Sequence, residues 1–270
     1  MKQKAWLRFG LVLILVSVLF LWGCGSQQQA AKKPEPPAAK KTLTVAAAAD
    51  LAVAFKELGQ SFEKSTGNKV VYSFGSTGLL SQQVENGAPF DVLAAANIKF
   101  VDDLIAKGKV VSDTKQLYAR GRVGLLTTLK EKSFTVKQLS DLAAPEIKRI
   151  AIANPEHAPY GLAAKQALQK AAMWDKIKDK LVFGNNIQDT LNLVLTGNAE
   201  AGIIALSLSM REDIRFTLID GDLHAPLDQA IAVVKGTPQE ALARQFIQYV
   251  NSPEGRIVMK KYGFVLPGEI

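Results

Sequence analysis

Cysteine and histidine are almost missing from this chain. Its 270 residues hold one cysteine, Cys24, and two histidines, His157 and His224. A lone cysteine forms no internal disulfide and no thiolate metal cluster. The two histidines lie on different segments without acidic or cysteine partners at metal-ligand spacing. Aromatic residues make up only 7%, and no basic stripe interleaves with them, which removes the usual footprint of a nucleic-acid binder. Ser76 and Ser207 are the serines worth weighing as nucleophiles, and each would need a base and an orienting acid. Nothing in the sequence identifies such a triad, so no enzyme is expected, and a cleft hydrolase stays as the alternative from a different class.

The one excess is positive charge, a net of +8, and its location is informative. Seven of the 33 basic residues but only one of the 25 acidic ones lie in residues 1–41, leaving 26 and 24 beyond. The excess therefore belongs to the N-terminal segment. That segment has a basic start (Lys2, Lys4, Arg8), an apolar run from Leu11 to Leu21, and then Trp22-Gly23-Cys24. It reads as a secretory leader over 1–23, and it resembles the bacterial lipoprotein signal, in which the cysteine becomes the lipidated first residue. An uncleaved membrane anchor is the other reading, and both place the remainder outside the cytoplasm. Residues 24–41, with GSQQQAAKKPEPPAAKK after the cysteine, are polar, charged and proline-rich. They bury too little to fold and are expected to be a tether.

Order is expected from Thr42 onward. Short apolar runs at Leu43–Ala47, Lys69–Phe74 and Asp91–Ala95 read as strands. They alternate with helical patterns after Asp50, at Leu79–Glu85 and at Phe100–Ala106. Leu51, Ala54, Phe55, Leu58 and Phe62 mark the inner face of the first helix, and Gly67 stops it. A second set follows, with strands at Val123–Thr127, Ile150–Ala153, Leu181–Phe183, Ala201–Ala205 and Gln229–Val234. Helices are expected at Val136–Leu142, Tyr160–Ala172, Ile187–Leu195, Pro238–Val250 and Pro253–Lys260. This alternation predicts an α/β fold.

Four strand-to-helix junctions are rich in small or polar residues: Ala48-Ala49-Asp50, Gly75-Ser76-Thr77-Gly78, Pro159-Tyr160-Gly161 and Asn185-Asn186-Ile187. A helix N-terminus presents unpaired N–H groups and about half a positive charge, so it can hold an anion without lysine or arginine. Any single junction of this kind is also explained by ordinary capping.

Taken together, several segments carry a resemblance. TVAAAADL (Thr44–Leu51), SFGSTGLLSQQVENGAPFD (Ser73–Asp91), ANPEHAPYGLAAKQALQK (Ala153–Lys170), WDKIKDKL (Trp174–Leu181), GNAEAGIIALS (Gly197–Ser207) and SPEGRIVMKKYGF (Ser252–Phe264) resemble the molybdate-binding proteins of molybdate ABC importers. The resemblance implies a two-lobed solute-binding fold with the ligand in the interlobe cleft. It places lobe 1 at 42–119 plus about 236–270 and lobe 2 at 120–235, with crossings at Tyr118–Arg122 and Leu227–Ile231. It implies molybdate or tungstate as ligand, with phosphate or sulfate as the alternative oxyanions. ABC permease subunits are the implied partners, along with a monomeric state, a lipid-anchored extracytoplasmic location and no cofactor. Molybdenum would be bound only as the oxyanion, with no residue ligating the metal itself.

The resemblance carries ligand contacts onto Asp50, onto Thr77 with Ser76 beside it, and onto the backbone N–H groups of Tyr160 and Ile187. Two departures stand out. Ala205 occupies the position of a tyrosine hydroxyl common in the family, and Tyr160 is a candidate replacement phenol. Asp50 occupies a serine position. It either caps its own helix through about Ala52 and Val53 or accepts a hydrogen bond from a protonated ligand oxygen.

Overall fold

The structure is a computed structural model that describes residues 40–131 and 133–269. The leader, Cys24 and nearly all of the tether lie outside the described residues. The first half begins with β1 (Thr42–Ala48), a 3-10 turn at Ala49–Leu51, α1 (Ala54–Thr66), β2 (Lys69–Gly75), α2 (Thr77–Glu85), β3 (Val92–Ala95), α3 (Ile98–Ala106) and β4 (Gln116–Gly121). The second half holds β5 (Val123–Thr128), β6 (Ile150–Ala153), α4 (Pro159–Lys170), α5 (Trp174–Ile177), β7 (Leu181–Gly184), α6 (Ile187–Leu195), β8 (Ala201–Ala205) and β9 (Ile214–Leu218). The chain then returns to the first half with β10 (Leu227–Val233), α7 (Glu240–Val250) and α8 (Pro253–Lys261).

Two five-stranded sheets result, ordered β2-β1-β3-β10-β4 and β7-β6-β8-β5-β9. In each, four strands run in one direction and one, β10 in the first sheet and β5 in the second, runs against them. The two orders correspond position by position, a symmetry not visible as residue repeats. The connection after β1 runs to one side of its sheet and that after β3 to the other, and the connections after β6 and β8 do the same in the second sheet. Such switch points open a crevice at the strands' carboxyl ends.

Strands buried on both faces read as continuous apolar runs, and VLAA of β3, IAIA of β6 and AGIIA of β8 are buried at every residue. The first half packs α1 and α7 together through aromatic edges. Phe62 meets Phe246 at 5.3 Å between ring centres, and Phe55 meets Phe246 and Tyr118 at 6.0 Å each. Gly67 ends α1 in the left-handed conformation, φ 72°, as expected of a helix-stop glycine.

Three expectations need correction. Residues 136–142 form no α-helix; only a 3-10 stretch at Leu139–Ala143 is present, started by Gln138 and Asp141 capping each other. The second lobe does not extend to 235. Strand β10 is hydrogen-bonded between β3 and β4 in the first sheet, where its nearly complete burial fits a central position. Asp50 does not cap a helix: no side-chain cap bond exists at either α1 or the preceding 3-10 turn.

The passage between halves is short. A single residue, Arg122, separates β4 in the first sheet from β5 in the second. The return path is 219–226, and it delivers β10 next to β4 with Asp228 opposite Arg120. Their side chains pair at 2.5 Å and 3.1 Å, which ties the two chain passages together at the hinge.

Candidate functional site

Five separate segments deliver residues to one small cavity between the two halves. Ala48, Ala49 and Asp50 come from the end of β1, and Gly75, Ser76 and Thr77 from the β2–α2 junction. Ala96 follows β3, Ala158, Pro159 and Tyr160 open α4, and Ile187 opens α6. All five residues singled out from the sequence, Asp50, Ser76, Thr77, Tyr160 and Ile187, are therefore brought together. The cavity measures only about 10 Å³, roughly the room of a single water. The lining contains no lysine or arginine.

Positive potential comes instead from backbone. Helices α2, α4 and α6 all begin at the cavity wall, and each leaves first-turn N–H groups without intrahelical acceptors. At α6 the Asn186 side chain takes the N–H groups of Gln188 and Asp189, so the Ile187 N–H is not consumed by the cap. At α4, Pro159 has no N–H, and Tyr160 contributes the first one. Thr77 Oγ1 accepts the Ala96 N–H at 3.0 Å, and its own O–H proton stays free to point elsewhere.

Ser76 does not cap α2. Its Oγ lies 2.8 Å from His157 Nδ1, and the Gly78 N–H donates to the His157 carbonyl at 2.9 Å. These bonds join the first half to the loop before α4 in the second. The approach needs Gly78, since a Cβ there would stand 2.6 Å from the His157 carbonyl oxygen. A serine and a histidine at this distance also satisfy the first condition for a nucleophile and base. No carboxylate hydrogen-bonds the His157 ring among the described residues, so the orienting third member is not supplied. Ser207 Oγ donates to the Asp50 carbonyl at 2.7 Å and serves as a fastening between halves.

Asp50 is the centre of a buried network. Its Oδ2 accepts from Tyr160 Oη at 2.9 Å and from Gln229 Nε2 at 2.7 Å. Gln229 Nε2 also reaches Tyr160 Oη at 3.1 Å, and Gln229 Oε1 accepts from Tyr118 Oη at 2.8 Å. The other carboxyl oxygen, Oδ1, is buried without a hydrogen-bond partner. Burial pushes the Asp50 carboxyl up from 3.8 to about 6, against the opposing pull of the Gln229 and Tyr160 bonds and of its own backbone N–H. Burial, with the Asp50 charge second, also holds the Tyr118 and Tyr160 phenols well above the ordinary tyrosine value. The Tyr160 phenol thus reaches the site, but as a donor to Asp50.

Sequence reasoning, which gave His157 a supporting role at the Pro159–Gly161 loop, missed Gln229, Tyr118 and the bond of the His157 ring to Ser76. Gln229 is fully buried and is the one uncharged polar residue in the run LDQAIAV, which is the signal that would have found it. Among the described residues no group of three or more His, Cys, Asp or Glu is placed to hold a metal ion. No described helix is long and apolar enough to cross a membrane.

Two α/β halves with short crossings, closing strand ends and helix N-termini over a cavity between them, define a two-lobed solute-binding protein. The comparisons with known proteins agree: the family model for bacterial extracellular solute-binding proteins matches residues 43–265, and the chain belongs to that family. It is 37% identical over 228 residues to the molybdate-binding protein ModA of Azotobacter vinelandii, covering 82% of this chain and 89% of that one. It is 30% identical over 221 residues to ModA of Rhodobacter capsulatus, covering 82% and 86%. The solved structure of the Azotobacter vinelandii periplasmic molybdate-binding protein superposes with a TM-score of 0.79 at 29% identity, over 83% of this chain and 99% of that chain.

Proposed function

We propose that this protein binds molybdate, or the similarly shaped tungstate, in the cavity between its halves and delivers it to the membrane subunits of an ABC importer. The carrying observation is the lining: three helix N-termini and the hydroxyls of Ser76 and Thr77 converge on a cavity that holds no cationic side chain. That is a site for an anion held by directed N–H and O–H donors. Named relatives that bind molybdate support the choice of oxyanion.

In this reading Thr77, Ser76 and the N–H groups of Tyr160 and Ile187 contact the oxyanion, and molybdenum is carried as cargo without a protein ligand on the metal. Closure follows from the split of donors: Ser76 and Thr77 belong to one half, Tyr160 and Ile187 to the other. Only the closed form engages both sets, so the ligand favours it. The protein works as a monomer, lipid-anchored at Cys24 outside the cytoplasm, with residues 25–41 as tether.

Titration calorimetry with molybdate, tungstate, sulfate and phosphate tests the assignment. Molybdate and tungstate should bind at least about tenfold more tightly than the other two, a difference of about 1.4 kcal/mol. Phosphate binding more tightly than molybdate would overturn the ligand assignment and leave the importer reading standing.

A further inference from the structure

The cavity contains a group that an anion site ordinarily excludes. Asp50 lines it, is 1% exposed, and has one carboxyl oxygen fully engaged and the other without a partner. A deprotonated Asp50 carboxyl beside an oxyanion would set two acceptors, both negative, against each other in a site with little water to screen them. No lysine or arginine in the lining offsets that repulsion. A single proton between the two oxygens turns the clash into a hydrogen bond, and charge-assisted bonds of this kind are short and strong.

We infer that Asp50 Oδ1 and the bound oxyanion share one proton, so that this protein takes up a proton from solution as it binds its ligand. The site of the proton follows from the hydrogen-bond directions. Oδ2 already accepts from Tyr160 Oη and Gln229 Nε2, so the proton is held at Oδ1. It balances simply: the free protein with its carboxylate, one solution proton and the free dianion give one complex. No bond other than the O–H forms. The raised proton affinity of Asp50, from burial, acts in the same direction.

The groups facing Asp50 leave few other places for that proton. Tyr118 on β4 and Tyr160 on α4 stay protonated, because burial and the Asp50 charge hold both phenols up. Gln229 on β10 and Ser207 after β8 do not titrate in the working range. His157 touches Ser76 rather than Asp50.

This inference rests on the oxyanion-binding reading, and the test separates the two. Sodium molybdate is titrated into the tether-bearing protein at pH 7.5 in several buffers of different ionisation enthalpy, none of them phosphate. The dependence of the observed heat on the buffer gives the proton count. Uptake approaching one proton per molybdate is expected, with Kd weakening by close to tenfold per pH unit between about pH 7 and 8.5. Asp50→Asn, whose amide can donate at the Oδ1 position, should bind molybdate with no proton exchange and a flat pH profile. Binding by the parent without proton uptake overturns the inference and leaves the oxyanion reading intact. Persistent uptake in Asp50→Asn also overturns it and moves the proton to His157. Absence of binding to molybdate and tungstate by both proteins from pH 5.5 to 8 overturns both readings. The parent's proton count stands alone if the variant fails to fold.

Discussion

Replacing Asp50 by asparagine keeps an oxygen for Tyr160 and Gln229 and removes the ionisable group from the core. The magnitude follows from the carboxyl's proton affinity, raised by burial from 3.8 to about 6. The folded state holds this proton more tightly than the unfolded chain. The stability contributed by the group is therefore complete below pH 3.8, is lost as pH rises toward 6, and stays lost above it. The full loss is about 3 kcal/mol at 1.36 kcal/mol per pH unit. Asparagine carries no such dependence. Without ligand, Asp50→Asn should match the parent near pH 4 and exceed it by about 2–3 kcal/mol at pH 7.5, seen as a Tm higher by roughly 4–12 °C. Urea unfolding followed by circular dichroism at both pH values measures this directly. An equal difference at pH 4 and pH 7.5, or a variant less stable than the parent at pH 7.5, would refute the claim that Asp50 is a strained buried carboxylate.

Gly78→Ala should keep the native circular dichroism but weaken molybdate binding about tenfold or more, because its Cβ would meet the His157 carbonyl at 2.6 Å and cost the bond that closes the halves. Small-angle scattering at saturating molybdate should then give the variant a larger radius than the parent, and identical radii would count against this closure contact. Tyr160→Phe removes the donor to Asp50 Oδ2 and the acceptor for Gln229, so urea unfolding at pH 7.5 should show a loss of about 1–3 kcal/mol; no loss would mean the phenol is replaceable by water. Cys24→Ser should shift the protein from the membrane fraction to the soluble one, since stable attachment depends on acyl chains, and full membrane retention would argue against lipidation at that residue.

Much of the layered fold was legible because its strands are buried on both faces and read as unbroken apolar runs, as IAIA at β6 and AGIIA at β8 do. Strand β9 escaped because it sits at a sheet edge, where Arg215 and Thr217 interrupt the apolar pattern. The four junctions were readable for a local reason: small residues next to a helix start are a short-range signal. The role of Asp50 was not, because helix capping is argued from neighbours two or three residues away. Its actual partners, Tyr160 and Gln229, lie 110 and 179 residues along the chain. A buried carboxyl network of that span has no periodicity and no spacing to betray it.

The position of β10 sets a schedule for synthesis and export. Strands β5 to β9 are contiguous in the chain, so the second sheet has all its members once residue 218 is available. The first sheet has no such independence: its fourth strand in space is its last in sequence. Until Leu227–Val233 arrives, β3 and β4 have no neighbour between them, and the unpaired backbone edge of Val92–Ala95 is open to the wrong partner. A nascent chain halted anywhere between 121 and 226 therefore carries a sticky, half-built layer beside one able to finish. For a polypeptide bound for the far side of a membrane, late completion is an advantage, because the part that leads through the pore is also the part that cannot lock shut until the tail has followed.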